Sequence, residues 1–138
     1  MNVPIMLALV TLVTFGLGTF FLKVAGAHQV YSPSYMTISS ACMCLVGILI
    51  HIVHRQPFEL SGKMTGLAAL GGTIGGIGFY AMLLALRLGG QGSIIFPITG
   101  LSMIVAVTLS LIVFRESITV AKLVGLGLGV SSIIVLSR

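Results

Sequence analysis

The sequence predicts an all-α membrane protein in which five helices cross the bilayer. Its 138 residues are 57% hydrophobic and 7% charged, whereas a soluble domain carries about 25% charged residues. The mean hydropathy of +1.22 leaves too little polar surface to cover a soluble globule. Five apolar stretches, each of about the 20 residues that a hydrocarbon core requires, follow one another along the chain: Ile5–Ala25, Ser34–Val53, Met64–Leu86, Ser93–Phe114 and Ile118–Leu136.

The five stretches are expected to be helices rather than strands of a barrel. Lipid offers backbone groups no hydrogen-bond partner, so only helices and closed barrels span it. Barrel strands alternate apolar and polar residues, which the runs Ile48–Ile50 and Ile133–Leu136 do not. The links are short, and Arg115–Ser117 is so tight that spans four and five should be antiparallel neighbours. We therefore expect one domain over residues 1–138.

Charge is sparse and evenly divided between the two predicted sides of the membrane. An odd number of spans puts the termini on opposite sides. The N-terminal side then carries four Lys and Arg residues and the other side three: Arg55, Lys63, Arg115 and Lys122 against Lys23, Arg87 and Arg138. This balance weakly favours a cytoplasmic N-terminus and equally suits a chain that inserts both ways and forms an antiparallel dimer. The scattered basic residues are typical of anchors at lipid headgroups and not of a nucleic-acid-binding face.

Three predicted spans carry polar or small residues at helical spacing. Such residues share one helix face, and in a membrane that face turns towards protein or a wet cavity. The stripes are Thr11, Thr14 and Gly18 in span one; Thr37, Ser40, Cys44, Gly47, His51 and His54 in span two; and Thr99, Ser102, Ala106 and Ser110 in span four. Packing through small residues and a substrate path both remain open for each stripe, although three stripes together favour a cavity. Adding Tyr80 for its aromatic face and hydroxyl, the substrate-path candidates are Thr14, Gly18, Ser40, Cys44, Tyr80, Thr99 and Ser102.

Glycines and one proline predict how the helices pack and bend. Missing Cβ atoms let helix backbones approach closely. The candidates for helix packing or a dimer interface are Gly71, Gly72, Gly75, Gly76, Gly125 and Gly129. A phosphate-binding glycine loop is excluded because the P-loop lysine is missing. Pro97 removes one helix hydrogen bond and is a hinge candidate in span four, or it lies in the first turn of that span, where it costs little.

Catalytic and metal-binding chemistry find little support in the sequence. The two carboxylates, Glu59 and Glu116, lie in links or at a span end, so no span carries a central proton-coupling acid. His51 and His54, one helical turn apart, are candidates for a proton relay near neutral pH, or they simply face water and headgroups. A zinc site would need a third and a fourth ligand, which the sequence does not offer. An enzyme would need a nucleophile, a base and a residue that orients the base, and no such set is evident. Neither a metal nor another cofactor is expected.

Several short motifs follow one another in the C-terminal half of the chain: Ala85-Leu86-Arg87-Leu88-Gly89, Ser93-Ile94-Ile95-Phe96-Pro97-Ile98-Thr99-Gly100-Leu101-Ser102, Phe114-Arg115-Glu116-Ser117-Ile118-Thr119 and Gly125 to Gly129. In this order and spacing they resemble an EamA-type repeat of the drug/metabolite transporter superfamily, as found in its short, five-helix members. The match covers about residues 65–138 well and the first half loosely, where Phe15-Gly16 stands at a frequent Trp-Gly pair. Met103 stands where a second proline is common.

The resemblance implies a fold of ten helices in two inverted five-helix halves, of which this chain supplies one. Such a chain must pair, either as an antiparallel homodimer or with a second, similar half-transporter. The resemblance also implies alternating-access transport of small metabolites in the inner membrane and a structural role for Glu116. With so few buried charges, a neutral, zwitterionic or amphipathic solute suits the cavity better than a polyanion. A lipid-linked sugar flippase subunit and a non-transporting membrane scaffold are the alternatives.

Overall fold

The computed structural model describes residues 3–55, 57, 59–115 and 119–136, with the backbone alone for residues 121, 122, 126, 132, 133 and 136. Within these residues every regular element is a helix: α1 (Val3–Ala27), α2 (Ser32–His54), α3 (Gly62–Arg87), α4 (Gly92–Gly100), α5 (Ser102–Phe114) and α6 (Val120–Leu136). The all-α prediction is confirmed for this part of the chain.

Four of the predicted spans are helices long and apolar enough to cross a membrane. They are α1, α2, α3 and the consecutive pair α4 and α5, which together cover Gly92–Phe114. The chain is therefore a multi-pass membrane protein. The fifth predicted span begins at Ile118, outside the described residues, and its described part is α6, with 17 residues. That α6 also crosses the membrane stays a prediction.

The fourth predicted span is not one continuous helix. It is interrupted at Leu101, whose N–H donates to Ile98 O at 3.1 Å, while the Ile104 N–H donates to Leu101 O at 3.0 Å. Bonds between residues three apart form a tighter turn than the α-helix. Gly100 directly precedes the interruption, and glycine is the residue least favourable inside a helix after proline. The break therefore follows the glycine rather than Pro97.

Local signals in the sequence account for two of the helix starts. Ser61 caps α3, because its Oγ accepts the Met64 N–H at 3.4 Å and so satisfies one of the first backbone donors of the helix. Pro33 stands in the first turn of α2, where the missing N–H costs nothing and the fixed φ favours the helix. Both starts lie two residues before the predicted span bounds, because hydropathy does not detect polar first turns.

The chain divides into two compact units, the N-terminal unit Met1–Leu88 and the C-terminal unit Gly89–Arg138. In the N-terminal unit, α1 and α2 both pack against α3. In the C-terminal unit, α4 packs against α5 and α6, so the predicted neighbours, spans four and five, do contact each other. The single domain expected over residues 1–138 stays a prediction.

The N-terminal unit is held together at one end, where α1 ends, α2 begins and α3 ends. We call this the link end. The buried apolar side chains among the described residues all lie near it: Leu22, Ala25, Leu83 and Leu86. Gly26 approaches Leu86 so closely that a Cβ on Gly26 would lie 2.8 Å from the Leu86 Cβ. The first part of α1, residues 3–18, is exposed throughout.

The turn between α1 and α2 closes the link end. The N–H groups of Gln29 and Val30 donate to Gly26 O and Ala25 O, both at 3.1 Å, and these are the paired bonds of a Schellman motif. The motif needs a left-handed residue, usually glycine, and here Gln29 adopts that conformation with φ of 56°. The Gln29 Nε2 donates to Arg87 O at 2.8 Å. This side-chain bond ties the turn to the end of α3 and offsets the backbone strain.

Gln29 offers a test of that compensation. We expect Gln29→Leu to lower the free energy of unfolding by about 1 kcal/mol, because the strain stays while the hydrogen bond is lost. Gln29→Gly loses the same bond but also relieves a strain of about 1–2 kcal/mol, so its stability should stay close to that of the unaltered protein. Reversible unfolding with dodecyl sulfate in mixed micelles, followed by circular dichroism, measures both. Equal stability of the leucine variant and the unaltered protein would contradict an anchoring role for the amide.

Ser32, the first residue of α2, is 2% exposed, and its Oγ has no hydrogen-bond partner in the part of the chain that the structure describes. A buried unpaired hydroxyl costs about 1–3 kcal/mol. We therefore expect Ser32→Ala to keep the free energy of unfolding unchanged or to raise it by about 1 kcal/mol. The control is Ser34→Ala, at an exposed position of the same helix, which should change stability by less than about 0.5 kcal/mol. A clear loss in Ser32→Ala alone would mean that this hydroxyl has a partner in the folded protein.

Candidate functional site

A groove of about 470 Å³ lies between α2 and α3 in the N-terminal unit. It is lined by Pro33, Met36 and Thr37 from α2 and by Thr73, Gly76, Ile77 and Tyr80 from α3. We call it the α2–α3 groove. Its volume falls within the roughly 300–1,000 Å³ typical of small-molecule sites.

Helical spacing explains why these residues share the groove. Along α3 they are three, four and seven residues from Thr73, which places them on one helix face. Gly76 lies in the middle of this face, and no atom of the described residues comes within 4 Å of where its Cβ would be. The groove therefore owes part of its depth to a missing side chain.

The lining of the α2–α3 groove is uncharged and mostly apolar. Its two threonine hydroxyls are bound to their own helices: Thr37 Oγ1 donates to Pro33 O at 2.9 Å, and Thr73 Oγ1 donates to Ala69 O at 2.8 Å. With its proton used in this way, each hydroxyl can still accept a hydrogen bond from a ligand. Tyr80 is 41% exposed. The arrangement can hold an apolar or aromatic body and orient it with a few polar contacts.

One substrate-path candidate lines this groove, and two others continue the helix face of its α2 wall. Tyr80, a substrate-path candidate, lines it directly. Ser40 and Cys44, both exposed, lie seven and eleven residues after Pro33 and so continue the helix face that supplies the groove wall of α2. Their part in a substrate path stays a prediction.

The α1 candidates do not line the groove. Thr14 Oγ1 donates to Val10 O at 3.0 Å and to Thr11 O at 3.1 Å, so its hydroxyl proton is used within its own helix. Gly18 has open space around it among the described residues. Their exposed face is available to lipid or to a partner.

The span-four candidates belong to the C-terminal unit. Thr99 Oγ1 donates to Phe96 O at 3.0 Å, and Ser102 is the exposed first residue of α5. Pro97 is the sixth residue of α4, past the first turn, so it does remove a helix hydrogen bond. Its role as a hinge stays a prediction.

The glycine candidates make no close contact with the described residues of their own chain. No atom of the described residues lies within 4 Å of a Cβ built on Gly71, Gly72, Gly75, Gly76, Gly125 or Gly129. Close packing inside the chain occurs instead at Gly26. For the six candidates, both helix packing and a dimer interface stay predictions.

The ionisable candidates form no cluster in the described part of the chain. No three His, Cys, Asp or Glu residues there come together as metal ligands. His54 is exposed and His51 is half-buried at the end of α2, so a proton relay between them stays a prediction. Glu116 lies outside the described residues.

Sequence reasoning missed most of the groove. The predicted site residues do not include Met36, Thr73 or Ile77, because the prediction rests on polar and glycine stripes within single helices. A signal for Thr73 was present, since it lies seven residues before Tyr80 on the face that also carries Gly76. Nothing in the spacing of an isolated helix marks Met36 as a wall residue.

A protein-family model, described as the EamA-like transporter family, matches residues 2–138. The chain belongs to the EamA-like transporter family. This confirms the resemblance drawn from the C-terminal motifs and extends it over the loosely matching first half. The chain is also 27% identical to an uncharacterised protein of Methanocaldococcus jannaschii, over 99% of this chain and 98% of that protein. No solved structure matches this EamA-like chain.

Proposed function

We propose that this EamA-like chain is half of a transporter that moves a small neutral, zwitterionic or amphipathic metabolite across the inner membrane by alternating access. The observation that carries the proposal is the α2–α3 groove, an uncharged cavity of about 470 Å³ that includes Tyr80. Tyr80 lies seven residues, or about 10 Å of helix, before the end of α3. The groove therefore reaches from the link end towards the membrane interior, where transporters bind their substrates.

Pairing is part of this proposal. Family members built from two inverted halves bind substrate between the halves, and a chain with one repeat needs a second to complete such a site. The exposed faces of Thr14, Gly18, Ser40, Cys44, Thr99 and Ser102 would then contribute to the shared path, with the open glycines of α3 and α6 at the interface. Native mass spectrometry should give twice the 14.4 kDa of one chain.

Transport by the purified protein is the direct test. Proteoliposomes would be loaded with a mixture of proteinogenic amino acids and octyl sulfonate, and each solute remaining inside would be followed by mass spectrometry. We expect time-dependent loss of at least one solute, faster than from protein-free liposomes. Retention of every solute would contradict the proposal and favour a membrane scaffold. If polyprenyl-phosphate sugar crosses the same bilayers while these solutes do not, the chain is a lipid-linked sugar flippase subunit.

A further inference from the structure

We propose that the α2–α3 groove binds an amphipathic monoanion, with its apolar body against Met36, Ile77 and Tyr80 and its anionic group at Arg87. This inference rests on the proposed function, because it names the substrate class of the same groove. It adds a charged residue that does not line the groove itself.

Arg87 continues the groove face of α3 towards the link end. It is the last residue of α3 and lies seven residues after Tyr80, as Tyr80 lies seven after Thr73. Seven residues are close to two full helical turns, so all three share one face. The face thus runs from a threonine through an aromatic ring to a guanidinium, about 10 Å beyond the ring.

The backbone that carries Arg87 is held in place from two directions. Its carbonyl accepts the Gln29 Nε2 donor at 2.8 Å. The preceding residue, Leu86, is 2% exposed and packs against Gly26. A cation on a fixed backbone loses less freedom on binding, which favours recognition.

The charge of the link end favours an anion. The described ionisable groups near this end include Lys23, His28 and Arg87, and the one Asp or Glu residue that the structure describes, Glu59, is not among them. Glu59 precedes α3 at its other end, and the 26 residues of α3 separate the two ends by about 40 Å. Guanidinium groups bind carboxylate and phosphate-like anions through charge-assisted hydrogen bonds. A second negative charge along the apolar body would lie in the uncharged groove without a partner, which is costly, so the ligand should carry its anionic group at one end only.

The groove matches a small amphiphile in volume, because about 470 Å³ falls within the range of small-molecule sites. Met36 supports a variable apolar body, because an unbranched thioether adapts to differing shapes.

A single-tryptophan reporter tests the proposal, because the chain contains no tryptophan. Tyr80→Trp keeps an aromatic ring in the groove. The full-length protein in phosphatidylcholine nanodiscs is titrated with ω-bromo-octyl sulfonate or with ω-bromo-octanol, which has the same chain without the charge. Bromine quenches a tryptophan that it touches. We expect the sulfonate to quench at about tenfold lower concentration than the alcohol, the ratio that one charge-assisted contact supplies.

Three controls decide the outcome. Phe20→Trp, also seven residues from the end of its helix and 58% exposed, serves as the reference: the preference at the Tyr80 position is measured relative to it, because the uncharged alcohol enters the bilayer more readily than the sulfonate. When combined with Tyr80→Trp, Arg87→Gln should abolish the preference for the sulfonate over the alcohol, and Arg87→Lys should keep most of that preference. Equal quenching by the two probes at the Tyr80 position, relative to the Phe20 position, or a preference that survives Arg87→Gln, would overturn the proposal.

Two further results separate neighbouring explanations. If nanodiscs of phosphatidylglycerol remove the quenching by the sulfonate, a lipid occupies the groove and the assignment to a soluble amphiphile is overturned. If the sulfonate preference is present but no solute leaves loaded proteoliposomes, the binding site stands and the transport function fails. If amino acids are transported and the sulfonate preference is missing, the transport function stands and this substrate class fails.

Discussion

Gly26→Ala is expected to lower the free energy of unfolding by about 1–3 kcal/mol, the usual cost of overpacking a close contact. A Cβ at this position would lie 2.8 Å from the Leu86 Cβ, 3.1 Å from the Leu86 carbonyl carbon and 3.3 Å from the Leu86 carbonyl oxygen. Two of these three atoms belong to the backbone and cannot rotate away. The alanine variant must therefore push α1 and α3 apart at the link end, where the buried side chains of the N-terminal unit lie.

Gly18→Ala is the matched control for Gly26→Ala. Both glycines lie in α1, but no atom of the described residues comes within 4 Å of a Cβ at Gly18. Because alanine is the better helix former by roughly 0.5–1 kcal/mol, this variant should be as stable as the unaltered protein or more so. Unfolding in mixed micelles, followed by circular dichroism, compares the two. A Gly26→Ala protein as stable as Gly18→Ala would mean that α1 and α3 do not pack through Gly26 in the membrane.

The helices were predictable because the hydrocarbon core of the membrane requires them. Burial in hydrocarbon requires about 20 apolar residues with an internally hydrogen-bonded backbone. Hydropathy alone therefore locates α1, α2 and α3 to within two residues at each end. The break at Leu101 was not predictable from hydropathy, because one glycine at position 100 hardly changes the mean hydropathy of an apolar stretch and weakens the helix only through backbone freedom.

The turn after α3 can be predicted from the sequence, whereas the turn after α1 cannot. After α3, Gly89 takes a left-handed conformation with φ of 94°, and a glycine in a run of glycines predicts such a turn. After α1, Gln29 takes the same conformation with φ of 56°, although glutamine gives no local reason for it. The cause is a bond to Arg87 O, 58 residues away, which only the folded chain brings into reach.

The candidate site was partly predictable for a similar reason. Spacing indicates which residues share a helix face, so the stripe that contains Thr37 could be recognised on its own helix, and Tyr80 could be recognised from its aromatic ring and hydroxyl. Spacing does not indicate which two faces meet. The packing of the α3 glycines therefore stays a prediction, and hydropathy gives no sign that Gly26, which follows the first predicted span, lies against Leu86.

Gly76→Leu is expected to reduce transport by about tenfold or more. Gly76 lies in the middle of the α2–α3 groove between Thr73 and Tyr80, and a leucine side chain there would occupy space that the ligand needs. Overpacking typically costs about 1–3 kcal/mol, or roughly 5- to 150-fold in an equilibrium constant. The initial rate of solute loss from loaded proteoliposomes measures the effect. Folding should be little affected, because no atom of the described residues lies within 4 Å of the Gly76 Cβ position.

Gly78→Leu separates blockage of the groove from a general effect of bulk on α3. Gly78 lies two residues further along the same helix, so it faces away from the groove, and it too has open space around it among the described residues. If the groove is the substrate path, Gly78→Leu should transport at nearly the unaltered rate while Gly76→Leu does not. Equal loss in both variants would indicate that α3 meets a partner along its whole surface, and equal retention would place the substrate path outside the α2–α3 groove. The comparison depends on helix geometry alone, since the two variants share the same side chain, the same helix and nearly the same membrane depth.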